Sequence, residues 1–164
     1  MNHRPKLIVQ KSNIERVHDW VCVIVIIGMF AFTIQAIFQM PDSIPIHENG
    51  KGEINGWGSR WISIIMPFIL VVIYIPLLFL QKYPEKHNYP ERLSKGNVYA
   101  FYRNSKILIS WLKFEFVLAF AYFNWYFVKV ALGQTSPPLW YISFALVAVI
   151  LTVIIIGLQR LRID

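Results

Sequence analysis

The chain has 164 residues, 56% hydrophobic and 15% charged, with a formal net charge of +7. Soluble domains carry roughly 45–50% apolar and about 25% charged residues, so this balance argues against one. The single cysteine, Cys22, excludes an intramolecular disulfide and a cysteine-based metal site.

The apolar residues come in blocks. A hydrocarbon core about 30 Å thick needs about 20 mostly apolar residues per helix. Four stretches meet that length: Trp20–Gln39, Trp61–Leu80, Ile107–Val130 and Leu139–Leu158. The expected fold is an all-α integral membrane protein. It is a four-transmembrane-helix bundle, one membrane domain over 1–164, with a compact outer loop over 40–60 and a basic inner loop over 81–106.

Residues 1–19 are polar and basic. Ile14, Val17 and Trp20 recur every third position and predict a short interfacial helix. The first span reads as an uncleaved anchor, because its apolar run exceeds a signal core and no small-residue cleavage site follows it. Thr33 and Gln35 are its clearly polar side chains.

The loop after it runs Met40-Pro41-Asp42-Ser43-Ile44-Pro45-Ile46-His47-Glu48-Asn49-Gly50-Lys51-Gly52-Glu53-Ile54-Asn55-Gly56-Trp57-Gly58-Ser59-Arg60. Asn49-Gly50 and Asn55-Gly56 are turn signals, since both residue types tolerate positive φ. With the extended run Ile44–Glu48 they predict a small hairpin. His47-Glu48 opens like a zinc-protease motif, but Lys51 stands where the second histidine must be. No metal, cofactor or catalytic residue is expected.

Span two holds Pro67 and Pro76, each able to kink a helix. Ser94–Lys106 reads as a basic amphipathic helix at the inner interface, leading into span three. Span three carries Lys113 and Glu115, the charges deepest inside any span. Such a charge costs about 2.5–3.5 kcal/mol near the bilayer centre on insertion scales. Two positions apart, they point roughly 200° from each other and cannot pair well. Lys113 is expected to snorkel to the inner headgroups. Glu115 must face the bundle or a wet cavity, or be protonated, with Arg103 or Lys106 as a candidate partner. Pro137-Pro138 precedes the plain apolar fourth span.

Twelve of the sixteen Lys and Arg residues fall in the two tails and the second loop. The positive-inside rule then places both termini in the cytoplasm and the first and third loops outside. The same placement accounts for the net charge without nucleic acid, and the bilayer itself is the expected partner.

The outer loop resembles a signature of bacterial membrane proteins with the SdpI-type N-terminal domain of unknown function. That signature runs Leu-Pro-x-x-Ile-Pro-x-His-aromatic-Asn-x-x-Gly-x-x-x-x-Trp-Gly-Ser-Lys. Pro41, Ile44, Pro45, His47, Asn49, Gly52, Trp57, Gly58 and Ser59 match it; Glu48 and Arg60 depart from it. Asn88-Tyr89-Pro90 and Trp111–Glu115 also look like members of this group. SdpI proteins have further spans that these 164 residues lack.

The resemblance implies a non-enzymatic protein of the bacterial cytoplasmic membrane. Its expected role is immunity to, or sensing of, a secreted antimicrobial peptide. Pro45, His47, Asn49, Gly52, Trp57, Gly58 and Ser59 form the expected recognition surface. An alternative reading, from Glu115 and the two prolines, is an accessory subunit or small carrier that partners another membrane protein. A third is a membrane enzyme using His47 and Glu48.

Overall fold

The computed structural model describes residues 4–49, 53–135 and 140–164. Helix α1 spans Asn13–Ile37, and strands β1, Ser43–Glu48, and β2, Ile54–Ser59, pair as an antiparallel hairpin. A 3-10 turn, Arg60–Ile64, runs straight into α2, Ile65–Lys82. Helix α3 covers Val98–Ala131 and α4 covers Trp140–Leu161. Among the described residues, four helices are long and apolar enough to cross a membrane. The chain is a multi-pass membrane protein of the all-α class. The expected outer loop is the hairpin; Gly52, Pro137 and Pro138 lie outside the described residues.

Among the described residues 4–19, the expected short interfacial helix is not a separate element. Residues 4–12 run without regular structure, and α1 begins at Asn13 behind a capping box. The Ser12 side chain accepts from the Glu15 amide at 3.4 Å, and the Glu15 carboxylate accepts from the Ser12 amide at 2.8 Å. Together these satisfy two backbone donors that a helix start leaves unpaired. Ile14, Val17 and Trp20 therefore sit on α1 itself, exposed.

The expected interfacial helix before span three is instead the first part of α3. Its 34 residues span about 51 Å, well beyond a hydrocarbon core of about 30 Å. Phe101 and Tyr102 in that extension are fully buried, not laid on a surface. Tyr89, Arg92 and Arg160 lie over the Phe101 ring, and the N-terminal segment lies against the rest: Tyr102 donates to the Pro5 carbonyl at 3.1 Å, and Lys106 donates to the Val9 carbonyl.

Helix α3 packs against each of the other three helices, while α4 packs mainly on α3 and is otherwise largely exposed. Three apolar clusters stack along the bundle. Ala36, Ile37, Met40, Ile44, Val128 and Ala131 fill the hairpin end. Cys22, Met29, Leu70, Tyr74 and Val117 fill the middle. Val9, Val98 and Tyr102 fill the end that holds both termini. Pro67 falls in the first turn of α2, where no intrahelical donor is needed, whereas Pro76 is interior and removes one bond.

At the terminal end the Tyr89 ring lies between two guanidinium groups, Arg4 at 5.3 Å and Arg160 at 5.1 Å from its centroid. Its hydroxyl donates to the Pro84 carbonyl at 2.8 Å. Burial pushes that hydroxyl's pKa above its ordinary value. His87 bonds Ser105 at 2.6 Å and the Leu80 carbonyl at 2.8 Å. The Asn88-Tyr89-Pro90 stretch thus clasps the N-terminal segment, the second loop and the end of α4.

Candidate functional site

The hairpin register pairs Ser43 with Ser59, Ile44 with Gly58, Pro45 with Trp57, His47 with Gly56 and Glu48 with Ile54. The pairing skips Ile46 on β1 and Asn55 on β2, so each strand carries a bulge. Asn55-Gly56, expected as a turn, therefore lies inside β2. The reason is local: bulged out of the ladder, Asn55 turns its side-chain oxygen to the His47 ring nitrogen Nδ1. The true reversal closes at Asn49, whose amide donates to the Glu53 carbonyl at 2.9 Å. The Asn49 side chain adds two bonds, donating to the Glu53 carboxylate at 2.8 Å and accepting from the Glu53 amide at 3.0 Å.

Three ties fix this hairpin to the bundle. Ile44 is fully buried in the cluster at the hairpin end. The Arg60 guanidinium donates to the Met40 carbonyl at 3.1 Å and pairs with Asp42 at 3.3 Å. Ser59 caps the 3-10 turn by accepting from the Trp61 amide at 3.4 Å. The glycines allow the close approach. A Cβ at Gly56 would stand 2.7 Å from the His47 Cβ, and one at Gly58 would stand 2.7 Å from the Ile62 Cδ1.

With its base fixed, the hairpin leaves Ile46, Ile54 and Trp57 exposed, Trp57 by 61%. Beside Ile46 and Ile54 a cavity of about 150 Å³ opens against α3, bounded also by Pro45, His47, Glu48 and Tyr126 among others. Pro45, His47, Asn49, Trp57, Gly58 and Ser59 are thus gathered in one small unit.

Lys113 and Glu115 lie elsewhere and face apart. Lys113 does not snorkel: its side chain is fully buried between α1 and α2. It pairs with Asp19 and donates to the Gln81 side-chain oxygen at 2.7 Å. Its ammonium also lies 5.5 Å from the centre of the Tyr74 ring. The network continues outward, from Asp19 to Lys11 at 2.5 Å and from the Gln81 amide nitrogen to Glu15 at 3.1 Å. Every strongly polar group there has a partner, which is the condition for burying charge in a bundle. His18 joins the same region, bonding Ser110 at 3.1 Å and stacking on Phe114.

Glu115 faces α4. Neither Arg103 nor Lys106 reaches it, since Lys106 is held by Val9 and Arg103 is exposed. Its partner is Thr152, whose hydroxyl donates to Oε1 at 2.5 Å. The other oxygen, Oε2, is buried with no hydrogen-bond partner among the described residues.

Asp19, Gln81, Glu15 and Thr152 were not anticipated from the sequence. One signal could have found the Lys113 network. Lys106, Ser110, Lys113, Val117 and Asn124 recur at spacings of three, four and seven, one face of a helix. That face turns out to be buried along its length. It also carries the Asn124–Thr33 pair, in which the Asn124 amide donates to the Thr33 hydroxyl at 3.0 Å.

A helical bundle carrying an anchored hairpin and a buried polar network defines a multi-pass membrane protein with one structured end. The chain matches the family described as Domain of unknown function (DUF1648) over residues 24–71. That range holds most of α1, the whole hairpin and the start of α2, so the likeness centres on the hairpin and its supports. No curated protein and no solved structure matches the chain.

Proposed function

We propose that this is a non-enzymatic, SdpI-like protein of the bacterial cytoplasmic membrane whose hairpin recognises a secreted antimicrobial peptide at the outer face. The charge distribution supports the orientation, with both termini in the cytoplasm. The SdpI resemblance supports the class of ligand. The observation that carries the reading is the hairpin itself: a unit tied down at its base, with Ile46, Ile54 and Trp57 exposed and a small cavity beside Ile46 and Ile54. A fixed platform loses little conformational entropy on binding. Exposed apolar groups rimmed by polar ones are what an interaction surface requires. An apolar anchor of a peptide fits the cavity, and Glu48 at its edge suits a cationic neighbour. Protection follows if the bound peptide is kept from its membrane target, or if occupancy is signalled through the basic loop.

The test is survival of a sensitive bacterium expressing the protein, challenged with a panel of secreted antimicrobial peptides. Wild type protects against at least one peptide, and His47→Ala and Trp57→Ala, inserted at normal levels, do not. Hairpin variants that protect as well as wild type, or no protection against any peptide, would contradict this reading. The second reading, a small carrier or accessory subunit, is favoured by the Glu115 oxygen that has no hydrogen-bond partner among the described residues. Loss of protection in Glu115→Gln, with the hairpin variants still protecting, would favour it.

A further inference from the structure

Helices α3 and α4 part above Glu115 and leave a cavity of about 520 Å³. Its walls are aromatic, with Tyr122 and Phe123 on α3 and Tyr141 and Phe144 on α4. The opening exists because the facing positions are small: Ala145 and Ala148 lack the side chains that would close it. Glu115 lies near the middle of the 34-residue α3, and Tyr141 lies at the start of α4. The cavity therefore runs from mid-helix toward the hairpin end. It opens sideways, past Tyr141 and Phe144, which are 46% and 62% exposed.

The chemistry of this space is specific. A lipid tail would satisfy its walls but not its floor. There, one carboxyl oxygen is held by Thr152 and the other is buried without a hydrogen-bond partner among the described residues. A carboxyl group at the floor of an apolar cavity is a natural counter-group for a cation, and a ring face attracts one as well. Among the described residues no ion pair reaches Glu115. The geometry points to a binding site for a hydrophobic monovalent cation that enters from the bilayer. Its apolar body lies among Tyr122, Tyr141 and Phe144, and its charge lies toward the Glu115 carboxyl group at the floor. This site lies on the far side of α3 from the Lys113 network and is separate from the hairpin cavity, so it stands whether or not the hairpin binds a peptide.

The experiment is equilibrium dialysis of labelled tetraphenylphosphonium against the full chain in nanodiscs of zwitterionic lipid, with empty nanodiscs subtracted. Wild type binds saturably at one site per chain. Glu115→Gln weakens binding roughly tenfold or more, because the Coulombic attraction between the cation and the carboxylate in a low-dielectric cavity is lost. Ala148→Leu, which fills the cavity and leaves the carboxyl intact, also abolishes saturable binding. Tetraphenylborate, of like shape and opposite charge, does not compete. Undiminished binding in correctly folded Glu115→Gln overturns the site. So does undiminished binding in Ala148→Leu, or equal competition by the anion. No peptide is present in this assay, so its outcome is independent of the survival test.

Discussion

Lys113 and Glu115 differ by two positions and by everything that surrounds them. Helical geometry places them about 200° apart, and α3 lies between neighbours on both sides, so one meets α1 and α2 and the other meets α4. That divergence was legible in the sequence; the partners were not. Asp19 and Gln81 stand at the ends of their apolar runs, where polar residues ordinarily meet water and headgroups. Only the packing of α1 and α2 on α3 turns them inward. Lys113 has its donors divided between two helices, so its loss is felt by both. Lys113→Met is expected to lower stability by about 2 kcal/mol, since it strips a buried charged partner from Gln81 and Asp19. Asp19→Asn should cost less, because Lys113 keeps Gln81. Unfolding of the purified variants in mixed detergent measures both. Equal stability of Lys113→Met and wild type would mean that the network contributes nothing.

At the scale of elements, the hairpin was readable from Asn49-Gly50 and the extended run before it. Its bulges were not. Asn55-Gly56 is a turn signal by composition, yet it sits in β2 because His47 and Asn55 bond across the bulge. Local propensity was overridden there by pairing. The two strand glycines differ in what surrounds them, and this yields a testable contrast. At Gly56 an added Cβ meets the His47 Cβ, which cannot move without its strand. At Gly58 it meets the tips of Ile62 and Ile46, side chains that can change rotamer. Gly56→Ala should therefore destabilise the hairpin by about 1–3 kcal/mol, the usual cost of overpacking, and Gly58→Ala by less. Hydrogen exchange of the hairpin amides reads this out. The reverse order would mean that the strand pairing differs from the register described.

At the scale of the molecule, four spans follow from hydropathy alone, because a bilayer sets the length of apolar run a helix needs. The arrangement does not follow. Nothing in the apolar composition of span three marks it as the central helix; the buried stripe from Lys106 to Asn124 does. Two expected interfacial helices proved to be something else. The stripe at Ile14–Trp20 lies on α1, and the part of the second from Val98 to Lys106 lies on α3, where Tyr102 and Lys106 bond the Pro5 and Val9 carbonyls. An amphipathic pattern cannot distinguish a lipid surface from a covering segment of the same chain.

In the proposed orientation the hairpin stands on the outer side of the cell membrane, where a secreted peptide can reach it. The chain holds one cysteine, Cys22, which is buried, so a single introduced thiol can report the side. We would place it by Ile54→Cys in a Cys22→Ala background, at a residue 43% exposed. Intact cells would then be treated with a membrane-impermeant maleimide. Labelling before permeabilisation is the result predicted. Labelling only after the membrane is opened would put the hairpin in the cytoplasm and contradict the account.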